Sequence, residues 1–130
     1  MKRIILGLSL FLMLVQNGFA ETDAEYDKMI ANDTLEVNKQ IYRCNKATLN
    51  HPDNSNPNIC TKAVELEKKL YPNNEEILST LYLNTGVLYS NSKQDYLKAY
   101  QFYIKSAKLG NIHAQKNLDL LCKRHSWVCN

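Results

Sequence analysis

Proline occurs only at Pro52, Pro57 and Pro72 in a chain of 130 residues. Each falls between two segments of helical periodicity, and no run of alternating β-branched residues supports a strand. Breakers so few and so placed predict an all-α fold of about five helices. The first runs from about Asp23 to Leu49, with Tyr26, Ile30, Val37, Ile41 and Leu49 as inward positions. The turn cluster "HPDNSNPN" follows, where Asn56 can cap the next helix and Pro57 can occupy its first position. That second helix reaches about Tyr71, and Pro72 ends it. A third spans about Glu75 to Tyr89, with "SNSKQ" as a short link. A fourth spans about Asp95 to Leu109, closed by Gly110. Asn111 caps a fifth, which ends near Lys123, and "RHSWVCN" is a tail.

The first twenty residues have a different character. Lys2 and Arg3 precede an apolar stretch of about a dozen residues, Ile4 to Val15, and small residues stand one and three places before a cut after Ala20. This is the pattern of a secretory signal peptide, and it is short for a membrane span. Residues 21–130 are then expected to form a single exported domain without stable membrane insertion. The expected location is the periplasm, with the extracellular medium as the alternative.

Without residues 1–20 the chain keeps 14 basic and 13 acidic residues, a balance that offers nothing to nucleic acid. The charges are unevenly placed. Residues 21–90 hold 7 basic and 11 acidic groups, whereas residues 91–130 hold 7 and 2. The C-terminal third is a basic end, either a solvated helix face or a patch that attracts an acidic partner.

Four cysteines, Cys44, Cys60, Cys122 and Cys129, read as two disulfides in an exported chain. Three pairings are possible. Proximity favours Cys44–Cys60 and Cys122–Cys129, each closing a short loop and stabilising the domain by about 2–3 kcal/mol.

The stretch "DYLKAYQFYIKSAKLGNIHAQKNL" sets Ala99 and Ala107 on one helix face, with Tyr103 on the turn between them. Superposing Ala63 on Ala99 lays "KAVELEKKLYPNNEEILSTLY" over "KAYQFYIKSAKLGNIHAQKNL". Lys62 then meets Lys98, Lys69 meets Lys105, Asn74 meets Gly110 and Leu78 meets Ala114. Each copy is a helix, a tight break and another helix. Residues 76–121 resemble a Sel-1-like repeat, through Leu83-Asn84, Gly86 to Tyr89, Asp95, Lys98-Ala99, Tyr103, Lys105, Ala107, Gly110-Asn111, Ala114-Gln115 and Asn117-Leu118. The earlier copy is more similar to a tetratricopeptide helix pair. "SNSKQ" departs from the pattern by lacking glycines, so that turn is expected to be shortened. The resemblance implies a short α-solenoid of helical hairpins. It also explains the small residues: Ala99, Ala107 and Ala114 let helices approach closely around Tyr103, Gly110 turns the chain, and Leu81, Leu88, Leu118 and Leu121 are the knobs.

Chemistry is thinly signalled. Ser90 and Lys93 match S-x-x-K, the nucleophile and activating lysine of penicillin-binding enzymes. The partner motifs of that fold are absent, and the pair falls in the expected link. Some secreted, cysteine-rich Sel-1-like proteins are linked to penicillin binding. Cys122, His125 and Cys129, with His51 or His113, have spacing for a metal, against the reading of Cys122–Cys129 as a disulfide that staples Trp127 and the tail to the fifth helix. "NDT" at Asn32 is a glycosylation sequon, meaningful only in a eukaryotic host. The reading carries no catalytic residue, cofactor or metal.

Binding is better supported. Of eight tyrosines, Tyr82, Tyr89, Tyr96, Tyr100 and Tyr103 cluster near the repeat, and interfaces favour tyrosine. The candidate partner-binding residues are Tyr82, Tyr89, Tyr96, Tyr100, Lys93, Lys98 and Lys105. Stacked hairpins present a rigid surface for another protein. The expected function is therefore protein binding without catalysis. Small exported Sel-1-like proteins resemble immunity proteins that bind and block a secreted toxin or effector, and this is the favoured role. An envelope or secretion-system adapter is one alternative; a peptidoglycan-active or penicillin-binding enzyme is another.

Overall fold

A helix started at Ala24 meets no glycine or proline until the His51-Pro52 step, and the first element, α1 (Ala24–Asn50), continues that far. The residue before a proline is pushed out of the helical region, which places the break. The computed structural model describes residues 24–50 and 52–130, with backbone alone for residues 24–30. The expected signal segment, His51 and the inward positions Tyr26 and Ile30 lie outside what it describes.

Val37, Gln40, Cys44 and Ala47 form the buried stripe of α1, and Ile41 packs partly against it. Leu49, expected inside, is 81% exposed. It lies eight residues beyond Ile41, so at 3.6 residues per turn it has drifted about 80° off the inward line. Tyr42 and Leu35, one and two heptads before Leu49, share its exposed face.

Asn56 Oδ1 accepts from the Asn58 N–H at 3.0 Å, and Pro57 already has helical dihedrals, so the expected cap leads into α2 (Asn58–Leu70). Cys60, Ala63, Val64 and Glu67 are its inward residues, at the i, i+3, i+4, i+7 spacing of one helix face. Pro72 ends it. α3 (Glu75–Ser92) follows and is longer than expected by most of a turn. The expected link is shortened to Lys93–Asp95: Gln94 takes φ 51°, and the Asp95 N–H donates to Tyr89 O at 2.9 Å. That backbone hydrogen bond reverses the chain without a glycine. Ser90, expected in the link, is therefore a helical residue.

Asp95 accepts from the Lys98 N–H at 3.1 Å and opens α4 (Tyr96–Lys108). Gly110, at φ 89°, closes that helix in a conformation that side chains resist. Asn111 Oδ1 accepts from the His113 and Ala114 N–H groups and opens α5 (Ile112–Arg124). A 3₁₀ turn, Ser126–Val128, folds the tail back. Disulfides join Cys44 to Cys60 and Cys122 to Cys129, the two local pairings.

The result is a short all-α solenoid with five helices and no strand among the described residues. Its hydrophobic interior is divided. The first core joins α1, α2 and α3 around Cys44, Cys60, Ala63, Leu78, Leu81 and Leu88. The second joins α4, α5 and the tail around Ala99, Tyr103, Leu118, Leu121 and Val128, and α3 contributes Leu83, Val87 and Tyr89 to its edge. Of the expected knobs, Leu118 and Leu121 meet Ala99 and Tyr103, whereas Leu81 and Leu88 belong to the first core. Ala107 packs against the second core, and Ala114 is fully buried.

A close approach of α3 and α4 is made by a residue outside the expected alanine set. A Cβ built on Gly86 would lie 2.6 Å from two ring carbons of Tyr103 and 3.3 Å from Ala99 O. Gly86 is the socket for the Tyr103 ring. Nearby, the buried Ser106 hydroxyl donates to Ser79 O at 2.6 Å and ties the same two helices.

Candidate functional site

Residues 82 and 89 are seven apart on α3, and residues 98, 102 and 105 follow i, i+4, i+7 on α4. Each set therefore lies along one side of its helix. Packing α3 on α4 brings the two sets together. Tyr89 stacks on Phe102, with centroids 5.5 Å apart and planes 8° apart. Tyr82 meets the same ring at 6.2 Å. Lys98 Nζ stands 5.1 Å over the Tyr89 ring. Lys105 Nζ stands 5.1 Å over Phe102 and 5.7 Å over Tyr82. Three rings and two ammonium groups thus form one continuous face. An ammonium over a ring gains about 0.5–1 kcal/mol at an exposed site, so each contact orders a lysine while its charge still faces water.

Four of the seven expected binding residues lie here: Tyr82, Tyr89, Lys98 and Lys105. Phe102, which holds them together, was missed; its signal was its position one turn beyond Lys98 and one short of Lys105. Lys93 is exposed at the C-terminal end of α3 and joins none of these ring contacts. Tyr100 is half-buried and packs against the second core. Tyr96 turns away from the face and stacks on His125, with centroids 3.8 Å apart.

That stack borders a second feature. α3 and α5 both pack on α4 but scarcely on each other. Between them is a cleft of about 440 Å³, lined by Val87, Ser90 and Asn91 of α3, by Tyr96 and Tyr103, and by Asn117, Leu120, Leu121, Arg124 and His125. Burial pushes the Tyr103 hydroxyl up to about 12, against hydrogen bonds with Ser90 and Asn117 that pull it the other way. The phenol therefore keeps its proton throughout the physiological range and serves as a hydrogen-bonding group.

The Ser90–Lys93 pair is divided by this geometry. Ser90 faces Tyr103 in the cleft, and Lys93 is not part of the lining. The Cys122, His125 and Cys129 set is divided too. Both thiols are spent in a disulfide and the imidazole lies on Tyr96. His113 is exposed. Among the described residues no cluster of His, Cys, Asp and Glu suits a metal ion, and no helix is long and apolar enough to cross a membrane.

No protein-family model, curated protein or solved structure matches this chain.

Proposed function

We propose that this chain is an exported, periplasmic protein-binding module without catalysis, and that it acts as an immunity protein for a secreted toxin or effector. The observation that carries the proposal is the ring-and-lysine face on α3 and α4. Aromatic side chains that are half-buried and already ordered bring contact area to an interface at small entropic cost. Lys98 and Lys105 add positive charge on the basic third of the chain, which suits a partner with an acidic surface. Two disulfides favour an oxidising compartment. The resemblance of residues 76–121 to Sel-1-like repeats supports the same reading.

The test is a pull-down from the periplasm of the native host with tagged residues 21–130. The expected result is a single protein near one-to-one whose expression kills cells lacking this chain and spares cells that have it. The doubly reversed variant Lys98→Glu/Lys105→Glu should lose both capture and protection. Recovery of envelope or secretion machinery, with no toxicity to relieve, would replace immunity by the adapter role. Covalent labelling of Ser90 by a β-lactam probe would overturn the non-catalytic reading.

A further inference from the structure

The cleft between α3 and α5 shares no residue with the ring-and-lysine face, and its chemistry points to a different ligand. Its polar groups are the Ser90 hydroxyl, the Asn91 and Asn117 amides, the Tyr103 phenol, the Arg124 guanidinium and the His125 ring. Among the described residues, no carboxylate lines it, and no hydrogen bond or ion pair engages the Arg124 guanidinium. Tyr103 is nearly fully buried, and its phenol reaches the lining between Ser90 and Asn117. The remainder of the wall is Val87, Leu120 and Leu121, with the flat face of the Tyr96–His125 stack beside them. A cleft of about 440 Å³ falls within the roughly 300–1,000 Å³ range of small-molecule sites.

From this arrangement we infer that the cleft binds a small planar organic monoanion, an aromatic carboxylate. One guanidinium answers one negative charge, and its fork matches a carboxylate. A dianionic phosphate group would face a single guanidinium. The Ser90, Tyr103 and Asn117 groups complete the hydrogen bonds of the carboxylate. The planar body lies against the apolar wall and the Tyr96–His125 stack. This inference does not rest on the protein-binding proposal, and either can fail alone.

The test is a ¹H–¹⁵N NMR titration of residues 21–130 with benzoate, using benzamide as the uncharged isostere and N-acetylglutamate amide as a mimic of a partner's acidic side chain. Benzoate is expected to shift the signals of Ser90, Asn117, Arg124 and His125 saturably and to leave those of Lys98, Phe102 and Lys105 in place. Benzamide should bind more weakly. Arg124 is exposed in the last turn of α5, so Arg124→Gln should keep the native spectrum and weaken benzoate binding about tenfold, the cost of a lost charged hydrogen bond. Ser90→Ala should weaken it less. Equal binding of benzoate and benzamide, or full affinity in Arg124→Gln, overturns the inference. So does a response to N-acetylglutamate amide without one to benzoate, which would assign the cleft to a partner's side chain.

Discussion

A single methyl group at position 86 has nowhere to go. Alanine is the better helix former by about 1 kcal/mol, so propensity alone would favour Gly86→Ala inside α3. The Tyr103 ring, held between the helices 2.6 Å from the new carbon, reverses the sign. We expect Gly86→Ala to destabilise the domain by about 1–3 kcal/mol, the range for overpacking a close contact, read from urea unfolding. Tyr103→Leu should lower the penalty of the second substitution, because the aromatic ring carbons in the way are gone. Glu67 offers a change of opposite sign. It is buried, and burial raises its pKa above the ordinary value of 4.5, opposed by a hydrogen bond from Asn74 Nδ2 at 2.8 Å. Among the described residues, Asn74 Oδ1 is buried without a partner. A raised carboxyl pKa stabilises the fold below the unfolded value, and that contribution is lost as pH rises through the folded value. Glu67→Gln keeps an acceptor for Asn74 Nδ2 and adds a donor for Asn74 Oδ1. It should therefore raise Tm at pH 7, by about 1 kcal/mol of stability, with the gain shrinking as pH falls through the raised folded value and gone below the ordinary 4.5. Thermal melts across that range check it. Neither site was legible in the sequence. Gly86 falls in the stretch that resembles the repeat, but nothing in one dimension pairs it with Tyr103, and Glu67 reads as one more charge on a surface helix until the fold buries it.

At the scale of elements, local chemistry carried most of the information. Asn56, Asp95, Asn111 and Gly110 each bound a helix near the expected place because caps and turn glycines act over three or four residues. The longer α3 was not legible. Its last turn depends on a hydrogen bond from Asp95 back to Tyr89 and on Gln94 adopting a positive φ, neither of which has a composition signal. The face that α3 and α4 share was half legible. Its tyrosines and lysines stand out by type, but which ones meet depends on how the helices pack. Tyr96, one residue after the link, was sent to the cleft side. The lysines of this face should be dispensable for folding. Lys98→Glu/Lys105→Glu is expected to change stability by no more than about 1–2 kcal/mol, the loss of exposed cation–π contacts. Partner binding should fall much further, and wild-type binding should weaken as salt screens the charges. A thermal melt beside a binding isotherm separates the two.

Over the whole molecule, the all-α class and the local disulfide pairing were legible, because breakers, periodicity and loop length are one-dimensional properties. The division into two cores was not. α3 is apolar on several sides, and only the packed chain shows Leu78, Leu81 and Leu88 joining one core while Leu83, Val87 and Tyr89 pack against the other. Each disulfide lies at one end of this arrangement, spanning 16 residues in one case and 7 in the other. Chain-entropy arguments give losses of about 3 kcal/mol for Cys44→Ser/Cys60→Ser and about 2 kcal/mol for Cys122→Ser/Cys129→Ser. Denaturant midpoints of the two double variants should fall in that order.

The same placement decides how the chain responds to a protease. A single nick in the turn between α1 and α2 falls inside the Cys44–Cys60 loop, so the two pieces stay covalently joined and can close again on their core. The exposed Lys93, in the link where α3 turns into α4, lies outside both loops. A nick there leaves two pieces with no covalent link, held by packing and hydrogen bonds such as Ser106 to Ser79 O, and they part for good once α3 and α4 separate. Those few residues are where one cut costs the molecule its integrity.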